Sequence, residues 1–134
     1  ADCALAEADE TNNSRAVTFT VGAGSTDLSW KPMTATVSGT TVTLATELCN
    51  GAKATRPFVV SLWVSRSTPA TCGSSGADAS AVLEVPASTC LPISVALPDR
   101  PSGSHTARLL ADARCQVPES SETNNEATAS YTIP

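Results

Sequence analysis

Apolar and polar positions alternate along most of the chain. In Thr40–Cys49, Val42, Leu44 and Leu48 share one face while Thr41, Thr43, Ala45 and Glu47 share the other. A period of two marks a half-buried β-strand. Asn50-Gly51 ends it with a turn dipeptide that tolerates positive φ. Pro57–Arg66 carries Phe58, Val60, Leu62 and Val64 on one face, with Val59 and Trp63 on the other. Shorter strands are predicted at Ala79–Val85, Pro92–Leu97, Ser104–Asp112 and Ala127–Ile133. Asp27–Val37 opens the series despite Pro32, which suits an edge or a bulge. Pro69–Ala79, rich in Ser, Gly and Ala, is the main loop, and Pro98–Gly103 is a turn. No window carries the apolar stripe of a helix. Seven short strands with turn signals between them predict an all-β antiparallel sandwich.

Composition narrows the function classes. The 134 residues suffice for one domain. Ser and Thr number 35, and only 4% of residues are aromatic, so the core is modest. A net charge of −5 argues against sequence-independent nucleic-acid binding, which needs clustered Lys and Arg. No apolar run is long enough to span a bilayer, so membrane insertion is not expected.

The chain matches itself at a spacing of 112 residues. Residues 1–21 read ADCALAEADETNNSRAVTFTV and residues 113–133 read ARCQVPESSETNNEATASYTI. Cys3 falls on Cys115, Glu7 on Glu119, Phe19 on Tyr131 and Val21 on Ile133, and Glu10–Asn13 repeats identically as Glu122–Asn125. A period this long signals tandem domains rather than a solenoid. The expected organisation is therefore residues 1–23 as the tail of a preceding copy and 24–134 as one complete copy. Residues 14–21 are expected to dock as an extra strand, on the domain's own sheet edge or on a neighbour.

Five cysteines stand at 3, 49, 72, 90 and 115, with no C-x-x-C pair and one histidine. That spacing does not suit zinc. In a small Ser/Thr-rich domain it suits disulfides and an oxidising compartment. Fifteen two-bridge arrangements exist. From the strand layout we expect Cys49–Cys115 and Cys72–Cys90, with Cys3 unpaired or bridged to another molecule.

Several segments resemble a known family. They are Leu48-Cys49-Asn50-Gly51, Phe58–Leu62, Pro101-Ser102-Gly103, Leu109–Asp112 and, most specifically, the closing Glu119-x-x-Glu122-x-Asn124-Asn125. Together they resemble the CARDB domain (cell adhesion related domain found in bacteria) over nearly all of residues 27–134. The resemblance implies an immunoglobulin-like or fibronectin III-like sandwich, often in tandem, on secreted or surface-anchored proteins. It implies an adhesion or spacer role and no catalytic residue. The cysteines and the long loop Pro69–Thr89 depart from it.

Candidate chemistry is sparse. Asp112, Glu119, Glu122, Asn124 and Asn125 offer oxygen ligands that suit Ca²⁺. A turn in which Asn side chains bond their own backbone competes with that reading and is favoured. His105 has no G-x-S-x-G elbow to serve, so it is expected at the surface as a strand begins. Trp63 is an exposed contact aromatic for glycan or partner, is covered by residues 14–21, or is itself a cover for the outer face beside Trp30 and Pro32. We favour the cover.

The leading expectation is a non-enzymatic extracellular or cell-surface module, one copy of a tandem array, requiring no cofactor. Its partners would be neighbouring repeats or other copies of itself, with a surface protein or glycan beyond them. One alternative is a self-assembling subunit that exchanges residues 14–21 with a neighbour. Another is a calcium- or carbohydrate-binding module.

Overall fold

A computed structural model of the protein describes residues 24–134. Eight strands occur there and no helix: β1 (Ser29–Trp30), β2 (Thr34–Ser38), β3 (Thr41–Cys49), β4 (Phe58–Val64), β5 (Ala79–Leu83), β6 (Cys90–Leu97), β7 (Gly103–Leu110) and β8 (Glu126–Ile133). One sheet has β1 and β2 end to end along one edge of β3, with β6 on the other edge. The second sheet runs β5-β4-β7-β8, and every pairing in both sheets is antiparallel.

The alternation of Thr40–Cys49 survives in the fold. Val42, Leu44 and Leu48 are fully buried and face Phe58, Val60, Leu62 and Leu109 of the opposite sheet. The predicted strand 27–37 divides at Lys31–Met33 into β1 and β2. Pro32 has no N–H for the ladder, so the edge strand breaks there and re-enters it two residues later. Pro92 lies inside β6, opposite Glu47, where an edge strand tolerates it. Gly39 turns the β2–β3 hairpin at φ +59°, a conformation that costs glycine little.

Both expected bridges are corrected. Cys49 bonds Cys90, and Cys72 bonds Cys115. Cys49 and Cys90 lie directly opposite each other at the end of the β3–β6 ladder, with Cα atoms 3.9 Å apart. That proximity takes Cys49 away from Cys115, which follows β7 in the other sheet. The loop before β5 folds back over that sheet and brings Cys72 to Cys115 instead. Cys3 and residues 14–21 lie outside the described residues, as does the proposed boundary at 23.

The two lateral sides of the sandwich differ. On one side β1 and β2 approach β8 closely and close the core. On the other, β5 is exposed almost throughout, and the inward residues of β6, Leu91, Ile93, Val95 and Leu97, are only half-buried.

Candidate functional site

The residues of the closing motif gather where the chain enters the domain. After β7 the chain turns at Asp112, a left-handed residue (φ +48°) that is 1% exposed. Its Oδ1 accepts from the Gln116 N–H at 2.7 Å and its Oδ2 from the Val117 N–H at 2.8 Å. Both oxygens therefore cap this turn, the local bond Asp favours.

The next residues reach across to the incoming strand. Glu119 Oε2 accepts from the Leu28 N–H at 2.6 Å, and the Ser120 N–H donates to the Thr26 carbonyl at 3.0 Å. Asn124 Nδ2 donates to Asp27 Oδ1 at 3.1 Å. Asn125 Nδ2 donates to Glu119 Oε1 at 2.9 Å and to Glu122 Oε2 at 3.3 Å. The Asn125 carbonyl takes the Trp30 indole N–H at 2.7 Å. From below, the Gly51 N–H donates to the Asp27 carbonyl, and Asn50 Oδ1 accepts from the Asp27 N–H. The motif is thus a clamp that fixes residues 26–30 from two loops.

Electrostatically the clamp is one-sided. Burial, with the neighbouring Glu122 and Asp112 carboxylates, pushes the Glu119 carboxyl up to about 7, against the Leu28 and Asn125 bonds that favour its ionised form. Asn124 Oδ1 and Asn125 Oδ1 are buried without a hydrogen-bond partner. Among the described residues no three His, Cys, Asp or Glu side chains converge as a metal site requires. The three carboxylates among the candidate ligands, Asp112, Glu119 and Glu122, are not so grouped.

Trp63 is not an exposed aromatic. It is 3% exposed, in a second apolar cluster with Val59, Ala70, Leu110 and Ala113 on the outer face of the β4 sheet. The loop before β5 covers it: Ser75 offers its carbonyl to the indole N–H at 3.0 Å, and the Arg66 guanidinium sits 5.7 Å from the ring centroid. Trp63 does not cover a face beside Trp30 and Pro32: it is itself covered, by this loop, pinned by Cys72–Cys115, while Trp30 packs against the main core. Sequence reasoning missed the loop's role, although Ala70 and Cys72 within it were a signal.

Beside the pinned loop lies a cleft of about 680 Å³, walled by Ala70, Cys72, Leu110, Cys115 and Val117 with Glu122 and Glu126 among its polar lining. Glu126 is already engaged, by an ion pair with Arg108 and by the Ala70 N–H. His105 is tied at both ring nitrogens. Nε2 donates to the Pro101 carbonyl at 3.0 Å, so Nδ1 accepts from the Ser65 hydroxyl at 2.7 Å. The ring stacks on Tyr131 at 5.3 Å. This contact fastens the start of β7 to the turn after β4.

No family model matches the chain, and no curated protein matches it either. Solved structures do. The crystal structure of the CARDB domain of the PF1109 protein from Pyrococcus furiosus, in complex with di-metal ions, aligns with a TM-score of 0.63. That alignment covers 81% of this chain and 93% of that one at 13% identity. The solution structure of the same domain aligns at 0.64, covering 80% and 94% at 14% identity. The fold is that of a CARDB domain. At such identity the likeness reaches the architecture of the two sheets. It does not reach the two disulfides or the loop over Trp63, which rest on this chain's own residues.

Proposed function

We propose that the chain is a non-catalytic extracellular adhesion or spacer module of a bacterial secreted or surface protein, one copy of a tandem array. The observation that carries this reading is the clamp. The Glu119–Asn125 loop holds the incoming segment 26–30 at one end of the domain. The chain leaves at the far end of β8, eight residues and about 27 Å away. A module whose entering and leaving segments are both held in place can be joined in series with further copies. The second occurrence of Glu-Thr-Asn-Asn before an alternating segment, at residues 10–21, supplies a matching end for a preceding copy. Disulfides support an oxidising location, and the CARDB fold supports an adhesion-related role. Antibodies against the chain test this. They are expected to label intact cells, to lose their target when the surface is digested with protease, and to block attachment. Recovery of the antigen from the cytosol alone would overturn it.

A second reading, cation binding beside Glu119, Glu122 and Asn125, has one observation in its favour: Asn125 is 5% exposed and its Oδ1 is unpartnered. The PF1109 structure is of a domain in complex with metal ions. Binding here needs the Asn125 amide to turn over, because its NH₂ faces both carboxylates. Calorimetry with millimolar calcium on a chelator-stripped sample decides it: no heat retires the reading.

A further inference from the structure

The open side of the sandwich is built to receive a strand. Between β5 and β6 lies a cleft of about 380 Å³, lined by Val60, Leu62, Leu83, Ile93, Val95 and Leu109. Both flanking strands are sheet edges. Their sequences, Ala-Ser-Ala-Val-Leu and Cys-Leu-Pro-Ile-Ser-Val-Ala-Leu, contain no charged residue. Proteins that leave an edge unpaired usually guard it with lysine or another charge. Here four inward residues of β6 in succession stay half-covered along its whole length.

We propose that residues 14–21 of the same chain fill this groove as a strand antiparallel to β6. Reach and direction select that occupant. Gly24 lies against Ala52, and the Ser88 N–H donates to the Gly51 carbonyl. The chain therefore enters beside the turn that joins β5 to β6, at the Cys90 end of the groove. Only Gly22 and Ala23 separate Val21 from Gly24. Traced backward from Gly24, residues 21 to 14 run down the groove, so the segment ascends where β6 descends. Both are eight residues long. Val17, Phe19 and Val21 alternate with Ala16, Thr18 and Thr20. One face thus meets Leu91, Ile93, Val95 and Leu97 while the threonines face water. Pro92, which gives no N–H, sits near the end where the segment turns away.

Such docking needs no preceding copy, but it bears on how one would lie: the segment starts at the end where β8 leaves, so a preceding copy would sit beside this domain and not beyond its clamp. The segment matches β8 in sequence, and β8 pairs with β7 on one edge only. A strand of this kind can close a preceding copy and offer its other edge to β6.

Hydrogen exchange on the 134-residue chain tests the proposal. In the unaltered protein, alternate amides of residues 15–21 and the outer amides of β6 are expected to be protected equally at high and low protein concentration. Phe19→Asp is expected to lower that protection by about tenfold or more, leaving β3, β4 and β7 unchanged. Phe19→Tyr, which copies Tyr131 at the matching place in β8, is expected to retain it. Free exchange of residues 14–21 in the unaltered chain overturns the proposal. So does β6 protection indifferent to Phe19→Asp. Protection that disappears on dilution, together with a dimeric mass, overturns the same-chain occupant in favour of exchange between molecules. None of these outcomes bears on whether the parent protein reaches the cell surface.

Discussion

Glu119 accepts the backbone N–H of Leu28 at 2.6 Å, across 91 residues of sequence. The bond ties the loop between the last two strands to the start of the first, so one carboxyl joins the two ends of the fold. Leu28 itself is fully buried in the main core. Its N–H has to find an acceptor as the strand begins, and the side chain of Glu119 supplies it.

That carboxyl sets a pH dependence with a definite sign. Its folded value of about 7 lies above the ordinary 4.5, chiefly through burial. The folded state then binds more protons than the unfolded one between those limits, so this group's stabilisation is complete below about 4.5 and is lost as pH rises through about 7. Thermal melts from about pH 5 to pH 8 should therefore show a fall in midpoint in the unaltered protein. Glu119→Gln should flatten that fall. An equal slope in the two proteins would assign it to other groups.

Much of the fold was legible in sequence, and the reasons are local. Val42, Leu44 and Leu48 alternate because one face of β3 meets the core, and a one-residue slip would reverse every side chain. Such a pattern needs no knowledge of partners. The disulfides were not legible, because Cys49 and Cys90 meet only through the β3–β6 register, which is set by pairing across 41 residues. Trp63 shows the middle case. Its phase placed it on the outer face of β4, but what covers that face depends on where a Ser/Gly-rich loop falls back. Likewise the Glu and Asn residues of the closing motif read equally as ligands or as a turn, since both uses demand short oxygen-bearing side chains. Only their partners, Leu28 and Asp27, show that the structure uses them as a clamp.

The Cys72–Cys115 bridge holds the loop over Trp63, and its removal should be felt there. Replacing both cysteines with serine is expected to cost roughly 2–4 kcal/mol. Trp63 should gain solvent, seen as a red shift and easier quenching of tryptophan fluorescence. The Cys49–Cys90 double replacement closes a similar length of chain, 41 against 43 residues. It should cost a similar amount without moving the emission, because the β3–β6 ladder still holds that end. Identical spectra for the two double variants would mean the loop stays down without its bridge.

Trp63 itself should behave as a core residue. Trp63→Ala removes a 3%-exposed side chain and orphans the Ser75 carbonyl, and is expected to destabilise by about 3–5 kcal/mol. Trp63→Phe keeps most of the apolar contact and should cost much less. Neither change should alter binding to a glycan array. A loss of glycan binding by a variant that still melts cooperatively would restore Trp63 as a contact residue.

The two ion pairs found among the described residues should separate by burial. Lys31, between β1 and β2, pairs with Glu47 of the central β3 with side chains about half exposed (53% and 42%), where water screens the attraction. Glu47→Ala is accordingly expected to change stability by less than about 1 kcal/mol. Arg108 and Glu126 are 14% and 18% exposed, and each has further bonds: Arg108 Nε donates to the Arg66 carbonyl at 2.9 Å, and Glu126 accepts from the Ala70 N–H at 2.7 Å. Glu126→Ala strands a poorly solvated guanidinium and a backbone donor together, and should cost about 3 kcal/mol. Denaturant titration of both variants, with and without added salt, checks the contrast. Salt should narrow the small effect at Glu47 and leave the large one at Glu126 nearly unchanged, since a buried pair is little screened. If the two substitutions proved equally mild, the Arg108–Glu126 pair would not be what anchors the loop at Ala70, and the disulfide at Cys72 would have to hold it alone.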